Sequence, residues 1–330
     1  MMTKAPRGFS YPEGLTFWTC DLEEREAQAP VRGFSAIKNK EESAMDQRLM
    51  DLTEEYAPGS LDRREFLMKL GIVAGGTAAA GALMPLLGGD CARAQVTAKD
   101  DAALVAEHMK YPGETGEIRA YFARPKKDAK YPGVVVIHEN RGLNAHIEDV
   151  TRRIALEGFV AMAPDALSPV GGTPGDQDKA IELIGKLDRE KTIRNYVAAV
   201  RYLKTHPVST GKVGTVGFCW GGGMANQLAV HSPELTAAVP YYGPVPASGD
   251  VPRIKASLLL HYAGQDERIN SGIPAFEEAL KKAKVDYRVY MYENAQHAFN
   301  NDTNAARYNK EAAQLAWQRT ISFLKDKLKT

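Results

Sequence analysis

The sequence predicts an α/β fold, a mainly parallel central sheet with helices on both faces. Three observations carry this expectation. From Ala102 onward, short apolar runs such as Gly133-Val134-Val135-Val136-Ile137 and Ala256-Ser257-Leu258-Leu259-Leu260-His261-Tyr262 alternate with longer amphipathic stretches. A strand that is apolar along its length is buried on both faces, as parallel strands under helices are. Turn residues such as Arg124-Pro125, Pro164-Asp165 and Ala263-Gly264-Gln265-Asp266 close the runs. Finally, Val213-Gly214-Thr215-Val216 leads straight into Gly217-Phe218-Cys219-Trp220-Gly221-Gly222-Gly223. That is a strand-to-helix turn whose flanking positions leave no room for a Cβ.

Taken in order, Glu117-Ile118-Arg119-Ala120-Tyr121-Phe122-Ala123 reads as a strand that stops at Arg124-Pro125 and a charged turn. Val134 to Ile137 is a fully buried strand, and Asn144 to Glu157 fits a helix with Ile147, Val150, Ile154 and Ala155 on one face. Phe159 to Ala163 is the next strand, closed by Pro164. The loop from Leu167 to Gly175 is rich in turn residues and reads either as a flap bordering a site or as a solvated connection. Helices from about Gln177 to Leu187 and Glu190 to Thr205 precede the strand that delivers Cys219, and a helix begins around Met224. The strand Thr236 to Tyr241, the strand ending at Tyr262, a helix Ile273 to Ala283, the strand Tyr287 to Tyr292 and a terminal helix Ala305 to Lys327 complete the chain.

The first part of the 330 residues does not read as a core. Residues 1–62 form an N-terminal extension with scattered charges, several prolines and no sustained period, the pattern of a disordered segment. Residues 63–94 look like a twin-arginine signal peptide: Arg63-Arg64-Glu65-Phe66-Leu67, an uncharged Ala/Gly-rich stretch from Leu70 to Gly89, then Ala92-Arg93-Ala94 at signal-peptidase spacing. About 20 uncharged residues can also cross a bilayer, but so many glycines and alanines make the stretch only weakly hydrophobic, so no stable membrane anchor is expected. Cleavage after Ala94 by the export machinery would place the mature chain, residues 95–330, in the periplasm or outside the cell. If translation starts at Met45, residues 1–44 are an artefact of start-site assignment and the n-region is short. The mature chain then carries Cys219 alone, and a solitary thiol in an oxidising compartment points to chemistry rather than to a disulfide.

Chemistry concentrates at three places. The turn pushes Cys219 out over the end of the sheet, at a helix start whose free N–H groups and positive dipole end favour a thiolate. A cysteine after an apolar strand is by itself more often a small buried hydrophobe. What favours a nucleophile is that an acid and a histidine follow in the order nucleophile, acid, histidine, each at the end of a later strand. Asp266 ends the run through Tyr262, with Glu267 beside it as a rival acid, although the shorter stem of aspartate suits an orienting role. His297 follows the strand through Tyr292. His138 and His261 end strands, where they can satisfy buried backbone groups, and His108, His146, His206 and His231 fall in surface segments. An ordinary cysteine, with a pKa of about 8.5, is only a few per cent ionised at neutral pH, so a base such as His297 is needed. Trp220, next after the nucleophile, would lend its backbone N–H to an oxyanion, at about 2.7–4 kcal/mol per donor.

Gly217-Phe218-Cys219-Trp220-Gly221, Gly264-Gln265-Asp266, His297-Ala298-Phe299 and His138-Glu139-Asn140-Arg141-Gly142 resemble the dienelactone hydrolase (carboxymethylenebutenolidase) family of the α/β-hydrolase superfamily, from about Ala102 to the C-terminus. The resemblance implies an α/β-hydrolase fold, a Cys219-Asp266-His297 triad, Glu139 as the carboxylate that gates the cysteine, and the Asn140 N–H as the second oxyanion donor. Glu139 also reads as an ordinary salt-bridge partner of Arg141. Family members that open dienelactones clamp the substrate carboxylate with arginines, one of them four residues after the histidine. That position is Asn301 here, and an amide cannot replace a guanidinium fork. Neither Arg194 nor Arg201 aligns with the second clamp, so ester or lactone hydrolysis is expected without dienelactone itself being implied. Tyr241 and Tyr242, at a strand end, are candidate pocket residues or core.

With 42 basic and 41 acidic residues, interspersed, the chain shows no footprint for nucleic acid. It carries no phosphate loop, no metal-ligand cluster and no repeat, so no cofactor and no metal are expected. The predicted protein is an exported hydrolase that cleaves a small ester or lactone through a thioester. The competing prediction is a non-catalytic binding protein of the same fold. The oligomeric state is not encoded legibly.

Overall fold

The computed structural model describes residues 97–329. The N-terminal extension, the twin-arginine segment, the candidate start at Met45 and the cleavage position after Ala94 lie outside them. Strands β1 (Leu104–Gly113), β2 (Gly116–Pro125), β3 (Tyr131–Ile137), β4 (Val160–Pro164), β5 (Ser209–Phe218), β6 (Ala237–Tyr241), β7 (Ser257–Gln265) and β8 (Tyr287–Gln296) form one sheet, in the order β1-β2-β4-β3-β5-β6-β7-β8. β2 runs antiparallel to β1 and β4, and every other neighbouring pair is parallel. The sheet is therefore mainly parallel, as an α/β-hydrolase sheet is.

Helices cover both faces because successive strand residues point to opposite sides. Val134 and Val136 pack with Ile147, Val150 and Ile154 of α1 (Ala145–Leu156) and with Ala316, Ile321 and Leu324 of α7 (Lys310–Lys327). Val135 and Ile137 join the opposite layer, with Tyr196 and Leu203 of α3 (Arg189–Thr205), Leu228 of α4 (Trp220–His231) and Phe276 of α6 (Ile273–Ala283). α2 (Gln177–Gly185) adds Ile184 to that layer, and α5 (Glu267–Asn270) is a single turn after β7. The helix starts have local causes: Asn144, Asp176, Asp188 and Asn309 each accept a backbone N–H from the first turn of the helix that follows.

Several expectations need correction. β1 was not anticipated; it is an edge strand with a wet outer face, so Lys110 and Glu117 can pair across the hairpin at 3.0 Å. β7 and β8 run on through Gln265 and Gln296, because their extensions pair with each other. α7 starts at Lys310 rather than Ala305, since Asn309 caps it there. His146 is buried rather than superficial, with Nδ1 3.1 Å from Asp302. The loop after β4 is pinned: Asp165 accepts from the N–H groups of Leu167 and Thr173 and from the Thr173 hydroxyl.

The chain leaves β3 for β4 on one side and returns to β5 on the other, so the β3/β5 boundary is a topological switch point. Ligands of open α/β sheets gather at the carboxyl ends of such strands. Glu139 and Asn140 follow β3 there, and Cys219 follows β5.

Candidate active site

The turn around Cys219 is as tight as its glycines suggest. Cys219 sits at φ 55°, ψ −115°, a left-handed backbone for a residue with a Cβ, between the last residue of β5 and the first of α4. A Cβ on Gly217 would lie 2.0 Å from the Gly221 carbonyl oxygen, and one on Gly221 would lie 2.4 Å from the carbonyl oxygen of His138. Only glycine lets the helix start press against the ends of β3 and β5. Strain of this kind, held by the surrounding fold, aims a side chain outward.

Two later loops bring the acid and the histidine to the thiol. His297 Nε2 lies 3.0 Å from Cys219 Sγ, and His297 Nδ1 lies 2.5 Å from Asp266 Oδ2. The three groups form one relay, with Asp266 buried and Glu267 exposed beside it. Burial pushes the Cys219 thiol up to about 11, and the Glu139 carboxylate adds to the rise. A hydrogen bond from the Trp220 backbone N–H and the charge of Arg268 pull the other way, and Asp266 adds a small further rise. The resting sulfur is thus a thiol; the helix start does not by itself offset the loss of water.

Glu139 is buried, accepts from Asn301 Nδ2 at 2.7 Å through Oε2, and has no partner for Oε1 among the described residues. It makes no ion pair with Arg141. Asn140 lines the cavity in front of the sulfur, which measures about 340 Å³ and is bounded also by Glu139, Ile181, His297 and Asn301. Tyr241 and Tyr242 are both fully buried and do not line it. The Tyr241 hydroxyl lies 2.7 Å from Thr320 Oγ1, whereas the Tyr242 ring packs against His297, tilted by 59° at a 5.0 Å ring separation. The loop after β4 does not reach the cavity either; Ile181 of α2 stands in its place. Among the described residues no cluster of His, Cys, Asp and Glu is suited to hold a metal, and no helix is long and apolar enough to cross a membrane.

Sequence reasoning missed the cations. Arg141, Arg268 and Arg307 all line the cavity, and none makes an ion pair or side-chain hydrogen bond among the described residues. Arg141 and Arg268 each lie two residues after a site carboxylate, Glu139 and Asp266, and that proximity was the available signal. By contrast, Arg194 pairs with Glu114 at 3.2 Å and Arg201 with Glu234 at 3.1 Å on the outer surface.

Comparison with known proteins agrees with this architecture. The model of the dienelactone hydrolase family matches residues 118–328. A protein of Saccharolobus solfataricus named "Putative carboxymethylenebutenolidase" is 34% identical over 254 residues, spanning 65% of this chain and 96% of that one. An Escherichia coli K12 protein of the same name is 32% identical over 244 residues, 68% of this chain and 88% of its own. Among solved structures, a Klebsiella pneumoniae protein named "Putative Dienelactone Hydrolase" superposes with a TM-score of 0.62 at 29% identity, covering 67% of this chain and 98% of that one. A dienelactone hydrolase-like promiscuous phosphotriesterase from metagenomic libraries gives 0.61 at 27% identity, covering 69% and 100%. With its sheet, its elbow and a family match running through most of the described residues, this chain belongs to the dienelactone hydrolase family of α/β-hydrolases, enzymes that hydrolyse esters and lactones.

Proposed function

We propose that the chain hydrolyses a small ester or lactone by covalent catalysis at Cys219, with His297 as the base and Asp266 as its orienting acid. The observation that carries this reading is the unbroken relay, 3.0 Å from Sγ to Nε2 and 2.5 Å from Nδ1 to Oδ2. As a substrate carbonyl approaches, the S–H proton passes to His297 Nε2 and the sulfur bonds to the carbonyl carbon. Asp266 stabilises the imidazolium. Oxygen charge collects between the backbone N–H groups of Asn140 and Trp220. Collapse breaks the C–O bond, and His297 returns its proton to the leaving alkoxide. Water, deprotonated by the same imidazole, then cleaves the thioester, releasing the acid and restoring the thiol. Glu139 is the gating carboxylate, which adds to burial in holding the sulfur protonated between turnovers.

Three unpaired arginines around a cavity of this size favour an ester or lactone that carries a carboxylate or a comparable anion. This supports an anionic substrate despite Asn301. A twin-arginine signal cleaved after Ala94 adds a periplasmic or secreted location, which N-terminal sequencing of the processed protein tests by finding Gln95 first.

The deciding experiment is hydrolysis of p-nitrophenyl acetate and of a dienelactone by the full chain and by Cys219→Ala. Release that vanishes in the variant supports the mechanism. Release that persists above a few per cent, in a folded variant, removes Cys219 from it.

A further inference from the structure

His138 is fully buried, carries an imidazole that the proposed reaction does not use, and directly follows β3, the strand next to the elbow. Its ring is fixed on three sides. Nε2 accepts from the Ala166 backbone N–H at 3.1 Å, which leaves the proton on Nδ1, and Nδ1 donates to the Glu139 carbonyl oxygen at 2.6 Å. The ring face stacks on the Trp220 indole, 5.3 Å between centroids and 12° from parallel. The Glu139 carbonyl also accepts a longer bond, 3.3 Å, from the Gly142 N–H.

A peptide unit is planar and trans, so the Glu139 carbonyl and the Asn140 N–H point in opposite directions from one rigid plate. Whatever holds the carbonyl aims the N–H. The same imidazole rests on the side chain of Trp220, the residue whose N–H reaches the sulfur. We infer that His138 is a positioning residue of the oxyanion hole, a neutral imidazole that orients both backbone donors at once. This rests on the reading above, in which the Asn140 and Trp220 N–H groups receive the oxyanion. Burial lowers the imidazole's affinity for a proton, so the ring keeps one donor and one acceptor through the neutral range.

The test compares two reactions of Cys219 in the full chain. Turnover of p-nitrophenyl acetate develops an oxyanion, whereas alkylation by iodoacetamide does not. In His138→Leu, kcat should fall about ten-fold, less than the 10²–10³ lost when a donor is deleted outright, with KM within about two-fold of the parent and alkylation slowed clearly less than turnover, since of the two donors only the Trp220 N–H bears on the resting sulfur. His138→Asn places an amide nitrogen where Nδ1 stood and should recover part of kcat, whereas His138→Gln, whose nitrogen falls near Nε2, should not. This pair decides the matter should the leucine variant not fold. Equal kcat in the Asn and Gln variants, or parallel loss of turnover and alkylation, overturns the inference. Parent turnover that survives Cys219→Ala overturns the reading of the site itself, and this inference with it.

Discussion

Asn301 donates its side-chain amide to Glu139, Nδ2 to Oε2 at 2.7 Å, while its own Oδ1 accepts from the N–H and hydroxyl of Thr303 at 3.0 and 2.6 Å. Asn301 thus serves as a holder for the carboxylate. It is a neutral holder, so the charge of Glu139 is not cancelled and still bears on the sulfur.

That charge has a measurable consequence. A carboxylate near a thiol penalises the thiolate, so replacing it with an amide lowers the thiol pKa from about 11 while burial, the larger cause, keeps it above the ordinary value. Glu139→Gln should therefore move the alkylation profile of Cys219 to lower pH. Labelling at pH 8 should speed up by as much as about ten-fold for each pH unit by which the midpoint falls. An unmoved midpoint would show that Glu139 does not reach the sulfur.

Asp266 and Glu267 are neighbours with different fates, one buried against His297 Nδ1 and the other exposed. Asp266→Asn would present an N–H to Nδ1 and drive the imidazole proton to Nε2, where it cannot accept from sulfur. The expected loss in kcat is about 10³-fold or more, whereas Glu267→Gln should stay within about two-fold. Steady-state kinetics on a neutral ester separates the two, and a large effect at Glu267 would reverse the assignment.

For the arginines, the contrast is between substrates. Arg141→Ala, Arg268→Ala and Arg307→Ala each remove a cation from the cavity that holds Cys219. Each should raise KM for an anionic ester or lactone by about ten-fold for a lost charge-assisted contact, and leave a neutral ester of equal size nearly unaffected. Arg268→Ala should also slow alkylation, because the charge of Arg268 lowers the thiol pKa. Equal effects on both substrates would deny the cavity a preference for anions.

These residues mark the limit of what the chain displays in one dimension. β3, β4, β6 and β7 were legible because strands buried on both faces are apolar without interruption. That Cys219, Asp266 and His297 meet was legible because they directly follow β5, β7 and β8 in that order. β1 was not, since Lys110 and His108 on its wet face break the apolar pattern of an edge hairpin. The arginines converge from the loop after β3, from α5 and from the loop after β8, and nothing local announces that all three meet. Likewise the stacking of His138 on Trp220 arises only when Gly221 lets α4 approach β3. Tyr241 looked like a pocket residue from its strand end, yet its hydroxyl turns back to Thr320.

The same network around Tyr241 predicts a contribution to stability that acid removes. Thr320 Oγ1 also lies 3.1 Å from His261 Nε2, and His261 Nδ1 lies 3.0 Å from the Tyr292 hydroxyl, which accepts from Arg319 at 3.2 Å. Burial first, and the Arg319 charge second, hold the His261 pKa down to about 3. The group's folded pKa is depressed below the unfolded value of about 6.5, so its contribution is fully present above pH 6.5. It is lost as the pH falls toward 3, where the unfolded chain binds a proton that the folded chain refuses. In that window His261 alone should give a slope approaching about 1.4 kcal/mol per pH unit. Chemical denaturation of the parent and of His261→Gln at several pH values measures it. The variant, though less stable at pH 7 for its lost packing, should show a shallower decline in acid; parallel declines would place the acid sensitivity elsewhere.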